Sequence, residues 1–315
     1  MRAVRFHDYG PPATLTLDQV PDPEPGPGEA LIEVVAAGVN FSDLQLRSGA
    51  LRAWAPDLPL PFTAGHEVAG TVTAVGPGAD PALLGRRVLA LSPTGGGYAE
   101  LFVSPAEALV PAPDLDEHKA LAVLTQGTTA VGILDRAALA PGETVLVTAA
   151  TGGVGSLLVQ LAAHAGATVA AVVDDGQKAE TALELGARVA VTPDTLEDAG
   201  PVHAVLDSLG GPFTRAALGL LQPVTGRLVM YGRITDRPHE IGSETVYLRA
   251  LSILGFASAL LPPERLVPLR DRAFALAAEG VLDPIVGSVR PLAEAAAAHE
   301  AIESRTSVGK HILVP

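Results

Sequence analysis

Residues 144–174 read Thr-Val-Leu-Val-Thr-Ala-Ala-Thr-Gly-Gly-Val-Gly-Ser-Leu-Leu-Val-Gln-Leu-Ala-Ala-His-Ala-Gly-Ala-Thr-Val-Ala-Ala-Val-Val-Asp, and this run constrains the fold more than any other. The stretch 145–148 is short and apolar, as a parallel strand covered on both faces has to be. Ala150, Gly152 and Gly155 follow at the small-residue spacing of a phosphate turn. The first permits a tight turn, Gly152 lets a pyrophosphate approach the backbone, and Gly155 lets the next helix pack closely on the strand. The N-terminal N–H groups of that helix then face the phosphates. A second strand closes on Asp174, where an acid accepts hydrogen bonds from a ribose. Strand, glycine turn, helix and strand together predict a dinucleotide-binding unit.

Glycine is frequent here, 33 of 315 residues, so small residues at a fixed spacing carry little weight alone. Their place between a strand pattern and an apolar helix is what makes the match specific. From 144 to 173 there is no Asp, Glu, Lys or Arg, which would also suit a membrane span. The glycines between 152 and 166 and the strand-like ends argue against one continuous lipid-facing helix. A formal net charge of −14, with no run of Lys or Arg, disfavours nucleic acid and anionic membrane surfaces and favours a small-molecule ligand. The absence of cysteine removes disulfides, thiolate zinc sites and thiol catalysis together. The N-terminal stretch 1–6 alternates like a strand and lacks the apolar core of a signal peptide, so a cytoplasmic protein is expected.

The length suits two domains, each with its own core. Strand patterns at 1–6, 14–20, 30–37, 68–75, 87–91 and 98–103 are separated by Pro and Gly clusters. After residue 116 the spacing turns helical, over 117–139 with a break near Gly127. Beyond the glycine turn a helix at 179–185 and strands at 188–191 and 202–206 follow. A helix at 213–221 and strands at 227–231 and 252–256 complete an alternation that predicts an open parallel sheet with helices on both faces. The tail carries a helix at 293–304 and a strand at 311–314, expected to return to the first domain.

Several segments carry a resemblance: Pro23-Glu-Pro-Gly-Pro-Gly-Glu29, Val35-Ala-Ala-Gly-Val-Asn-Phe-Ser-Asp43 and Gly65-His-Glu-Val-Ala-Gly-Thr-Val-Thr-Ala-Val-Gly76. Gly97-Tyr-Ala-Glu100, Gln126-Gly-Thr-Thr129, the glycine turn, Asp207-Ser-Leu-Gly210 and Gly309-Lys310 follow in the same order. Over nearly its whole length the chain resembles the medium-chain dehydrogenase/reductase superfamily, and within it the zinc-free quinone oxidoreductase-like group. The resemblance implies an α/β protein with a GroES-like, mainly β substrate domain over 1–120 and 258–315. It also implies a Rossmann doubly wound parallel sheet over 121–257, a cleft between the two, and a homodimer. Zinc-dependent members hold their metal with a Cys where this chain has Asn40, with a His at the place of His66, and with a second Cys near Leu124 or Thr125. Only the His is kept, so no metal is expected and His66 reads as a hydrogen-bonded structural histidine. The tyrosine that the group often carries after its Asn-x-x-Asp segment is missing, with Gln45, Leu46 and Leu51 standing in that region.

What the resemblance implies is NAD(P)H-dependent hydride transfer to a quinone or an α,β-unsaturated carbonyl. Asn40, Asp43 and Thr129 are the candidate catalytic residues. Asn40 either contacts the ring or substrate oxygen or ends its strand against local backbone. Asp43 either takes part in the chemistry or caps the following helix. Thr129 either lies near the nicotinamide and its ribose or bonds back within its own helix. Thr151, Gly152, Gly153, Val154 and Gly155 are assigned to the pyrophosphate, with Thr129, Ser208, Gly232, Phe256 and Lys310 as further cofactor contacts. Asp174 favours NADH through the ribose diol, whereas Lys178 favours NADPH through the 2′-phosphate. NADPH is the expected cofactor, with NADH as its rival. An enoyl reductase of a polyketide or fatty-acid pathway and a non-catalytic nucleotide-binding sensor are the alternative functions.

Overall fold

The computed structural model describes every residue of the chain except Trp54, Pro93 and Asp236. The first part of the chain runs through β1 (Arg2–Phe6), β2 (Leu15–Gln19), β3 (Glu29–Val39) and α1 (Phe41–Ser48). It continues with β4 (Phe62–Thr63), β5 (Glu67–Val75), β6 (Arg87–Leu91), β7 (Leu101–Pro105), β8 (Val110–Pro111) and α2 (Glu117–Ala122). The middle part holds α3 (Thr128–Ala137), β9 (Thr144–Val147), α4 (Gly153–His164), β10 (Thr168–Val172), α5 (Gly176–Glu184) and β11 (Val189–Val191). After these come β12 (Ala204–Asp207), α6 (Pro212–Leu220), β13 (Arg227–Met230), α7 (Ser243–Leu248), β14 (Ser252–Gly255) and α8 (Pro263–Ala278). The tail is β15 (Val286–Pro291), α9 (Ala295–Glu303) and β16 (Lys310–Val314).

Two units result, one of residues 1–122 and 286–315 and the other of residues 123–285. The expected second boundary at 257/258 therefore moves to 285/286. The reason is α8, a helix that the Pro263 and Pro268 positions obscured in the sequence and that packs on α3 and on the turn before it. In the first unit β15, β16, β3, β5, β6 and β8 form one sheet in that order, with β7 pairing β3, while β2, β1 and β4 form a second. Their alternating inward residues, among them Phe6, Ile32, Val68, Tyr98, Phe102 and Leu313, make a single core. The tail reaches that core through β16, whose Ile312 lies opposite Gly38 of β3.

In the second unit the order is β11-β10-β9-β12-β13-β14, and every pairing is parallel. The charge-free run that suited a membrane span is β9, α4 and β10, apolar because a central strand and the helix over it are covered on all sides. The helical stretch after residue 116 does not break at Gly127. It relaxes into a π turn over Val123–Gly127 between α2 and α3, with Gly127 itself in the right-handed helical region. The described residues contain no helix long and apolar enough to cross a membrane.

Candidate functional site

The glycine turn lies between the end of β9 and the start of α4. Gly152 is the N-cap of α4, and no side chain caps the first turn of that helix. Its leading N–H groups have no partner within the helix, which leaves donors and the positive end of the helix dipole for an anion. Gly155 is dictated by closeness: a Cβ there would stand 2.0 Å from the Ala149 carbonyl oxygen. Ala149 holds a left-handed φ of 47°, a strained state for alanine that turns the chain sharply out of β9. Thr151 is buried beside it, while Gly153 and Val154 open the helix and are half-buried.

Asp174 and Lys178, which the sequence sets against each other, are partners. Lys178 Nζ donates to Asp174 Oδ2 at 2.9 Å, with the lysine 7% exposed and the aspartate side chain open to solvent. Asp175 caps α5 by accepting from the Lys178 backbone N–H at 2.9 Å. Ser208 follows β12, and a Cβ on Gly232 would come 3.3 Å from its own Cβ. The Phe256 ring fills the space above Gly132 of α3, where any larger residue would collide with it. Thr129 does not bond back within its helix; its hydroxyl lies 3.0 Å from that of Ser258, and it is Thr128 that donates to Leu124 at 2.5 Å.

The sequence patterns do not single out Asp207 and His239 as functional residues. Asp207 is fully buried at the end of β12 and accepts from the Leu209 N–H at 2.8 Å and the Thr214 hydroxyl at 2.6 Å. His239 reaches Asp207 at 3.1 Å through Nδ1 and the Gly232 carbonyl at 2.9 Å through Nε2. The hydrogen bond to Asp207 raises the His239 pKa against the cost of burial. Thr148 and Tyr231, each one residue beyond the carboxyl end of a strand of that sheet, are likewise not singled out by the sequence patterns. The available signal was a polar residue one step beyond the last apolar residue of each strand.

Within the β-rich unit Asn40 is the N-cap of α1 and Asp43 completes a capping box by accepting from the Asn40 backbone N–H at 2.8 Å. Asp43 also pairs with His66 Nδ1 and accepts from the Tyr98 hydroxyl at 3.1 Å. Burial pushes its carboxyl up, but the hydrogen bond and charge of His66 outweigh that and leave the pKa lowered. Burial lowers His66 in turn, and its bond to Asp43 brings it back above the ordinary value. Tyr98 is fully buried in the core, in the bend before β7, its hydroxyl 3.1 Å from His299 Nε2. Burial holds His299 down to about 4, so it is neutral. Lys310, expected as a cofactor contact, is 3% exposed and is spent inside this unit. Its ammonium donates to Asn40 Oδ1 at 2.8 Å and to Glu67, since a buried cation requires a counter-charge.

Residues 26–114 match the alcohol dehydrogenase GroES-like domain, and residues 153–269 match the family described as zinc-binding dehydrogenase. A 2-haloacrylate reductase from a Burkholderia species is 32% identical over 99% of this chain and 98% of its own. The mycobacterial protein Rv1454c, solved with NADPH, superposes with a TM-score of 0.90 at 31% identity, covering all of both chains. Escherichia coli quinone oxidoreductase, also solved with NADPH, does so at 0.89 and 28%, again over all of both chains. The second family description raises zinc, and the donors here do not fit it. His66 gives Nδ1 to Asp43, and Glu67 and the Asn40 oxygen are taken by Lys310. Among the described residues no three His, Asp or Glu side chains are grouped to hold a metal ion.

Proposed function

The chain belongs to the medium-chain dehydrogenase/reductase superfamily, in its quinone oxidoreductase-like group, and on that basis we propose that it is a zinc-free reductase that uses NADPH to reduce a quinone or an α,β-unsaturated carbonyl. The observation that carries the reading is the uncapped first turn of α4 behind Gly152, set at the carboxyl end of β9. That turn would hold the pyrophosphate, with Thr151, Gly153, Val154 and Gly155 shaping its approach. Lys178 would meet the 2′-phosphate by leaving Asp174, and Asp174 would accept the ribose hydroxyls of NADH, so both cofactors bind and NADPH is preferred. Solved relatives bound to NADPH support this order. When bound, the nicotinamide supplies a hydride at C4. Thr129, beside the π turn, together with Ser208, Gly232 and Phe256, is assigned to the nicotinamide end. Asn40 remains a proposal for contact with the ring or substrate, and Asp43 supports it by holding His66, Tyr98 and the start of α1.

A second copy of the chain is the proposed partner. Strand β14 ends its sheet with no further strand beside it among the described residues, and Tyr247, Leu248 and Leu260, which flank it in the chain, are 81%, 76% and 78% exposed. Light scattering on the purified protein tests this, and a monomer at micromolar concentration refutes it. The activity is tested by following NADPH loss with a simple para-quinone and with a cyclic enone. Turnover with either supports the reading. Binding of NADPH without turnover would make the protein a nucleotide sensor, and turnover confined to enoyl thioesters would make it an enoyl reductase. Stoichiometric zinc in the purified protein, with activity lost to a chelator and restored by zinc, would overturn the zinc-free assignment.

A further inference from the structure

The sheet of the second unit reverses direction between β9 and β12: from β9 the chain winds out to β10 and β11, then returns to build β12, β13 and β14 on the other side. Open parallel sheets bind ligands outside the carboxyl ends of their strands at such a point. Three hydroxyl residues stand there, each one position beyond its strand: Thr148 after β9, Ser208 after β12 and Tyr231 after β13. Thr148 Oγ1 donates to the Leu206 carbonyl at 3.1 Å and accepts from the Ser208 N–H at 2.8 Å, and the Thr148 and Ser208 hydroxyl oxygens are 3.2 Å apart. Tyr231 comes from the far side of β12. Its hydroxyl nevertheless donates to the Thr148 carbonyl at 3.3 Å, so the phenol spans the end of the intervening strand. That carbonyl belongs to the residue immediately before the strained turn at Ala149.

We propose that Tyr231 is a positioning residue of the dinucleotide site, whose hydroxyl pins the first carbonyl of the phosphate turn and so keeps the N–H groups of the turn and of α4 aimed at the pyrophosphate. Burial pushes the phenol up to about 12, which keeps it a neutral donor throughout the working range. The inference rests on the glycine turn binding a dinucleotide, and it adds a specific expectation. Both cofactors share the pyrophosphate, so loss of the tether weakens NADH and NADPH alike and leaves the second substrate untouched.

Tyr231→Phe keeps the ring and removes the hydroxyl. The expected result is a rise of about three- to tenfold in Kd for NADPH and for NADH, read by fluorescence titration, the range of one net hydrogen bond. KM for the quinone and kcat at saturating cofactor should stay within about twofold of wild type, which a general loss of structure would not allow. Hydrogen exchange on the cofactor-free protein gives a second reading, in which amides 149–153 should exchange faster in the variant while the sheet strands do not. Unchanged affinity for both cofactors, a loss confined to one of them, or unchanged exchange across 149–153 overturns the proposal. Wild-type protein that binds neither cofactor would instead overturn the dinucleotide reading itself, so the two failures are distinguishable.

Discussion

Lys178 and Asp174 show how far a residue's identity falls short of its role. Each is legible in the sequence as a cofactor-selecting charge, but the sequence does not state that the two neutralise each other across one turn of backbone. With the pair closed, a 2′-phosphate has to displace a carboxylate from the ammonium, whereas a ribose diol can donate to Asp174 while the pair stays intact. Asp174→Ala should therefore tighten NADPH by about tenfold and weaken NADH, the change expected for one charge-assisted hydrogen bond. Lys178→Ala should weaken NADPH by about one to three kcal/mol and leave NADH nearly unchanged. Titration of both cofactors against both variants checks this, and equal losses for NADH and NADPH in Lys178→Ala would assign the lysine a structural role only. Lys310 makes the same point with the opposite outcome. Its charge is real, but it lies on an inward-facing position of β16 and is consumed by Glu67 and Asn40.

Among the elements, the strand–turn–helix of residues 144–164 was readable because each of its parts answers a local requirement. Its two essential glycines nevertheless differ in kind. At Gly152 the backbone is extended, with φ −76° and ψ 177°, a conformation open to any residue, but a Cβ would lie 3.2 Å from the Ala149 oxygen, so that carbonyl has to give by a few tenths of an ångström to admit a side chain beside the phosphate donors. Gly152→Val should fold with a smaller loss of melting temperature than Gly155→Ala and lose at least about tenfold in cofactor affinity, since a side chain there crowds the donors of the helix N-terminus. At Gly155 the 2.0 Å approach to a backbone carbonyl leaves nothing that can yield. Gly155→Ala should lower stability by about 1–3 kcal/mol or more through overpacking, seen as a depressed melting temperature without any ligand present. Retained stability in Gly155→Ala, or full affinity in Gly152→Val, would contradict this division of labour. Helix α8 escaped the sequence reading because its prolines at 263 and 268 resemble breakers; the first sits in the opening turn, where a missing N–H costs nothing. The π turn at Val123–Gly127 looks like a break in the sequence because helical spacing there slips by one residue without the helix ending.

On the scale of the whole chain, the β-rich unit is closed by its own tail, and the closure carries a pH signature. His299 of α9 is wholly buried against Tyr98, and burial lowers it from 6.5 to about 4. Between those values the unfolded chain binds a proton that the folded chain refuses, so stability rises with pH across the window, by about 3 kcal/mol for this group. Asp43 acts in the same direction at lower pH: its folded pKa is depressed, and its contribution is lost only as pH falls through that value. His66 has the opposite sign. Its raised folded pKa gives a contribution complete below 6.5 and lost as pH climbs through the folded value. The contribution of the cluster to stability should therefore peak near pH 6.5. Urea unfolding of wild type and His299→Gln across this range provides the check: the variant should lose about half of the acid-side slope, the remainder coming from His311, which burial also lowers to about 4, and an unchanged slope would remove His299 as a source. By itself, the sequence determined what depends on neighbours along the chain: the strand and helix periods, the phosphate turn, the two-domain plan and the family. Only the tertiary structure decided which charges are spent on one another, that residues 258–285 belong with the parallel sheet, and that Tyr231 crosses the end of β12 to reach Thr148. These depend on which side chains meet across long stretches of chain, and burial settles that by requiring every enclosed charge and hydrogen-bonding group to find a partner wherever the fold supplies one.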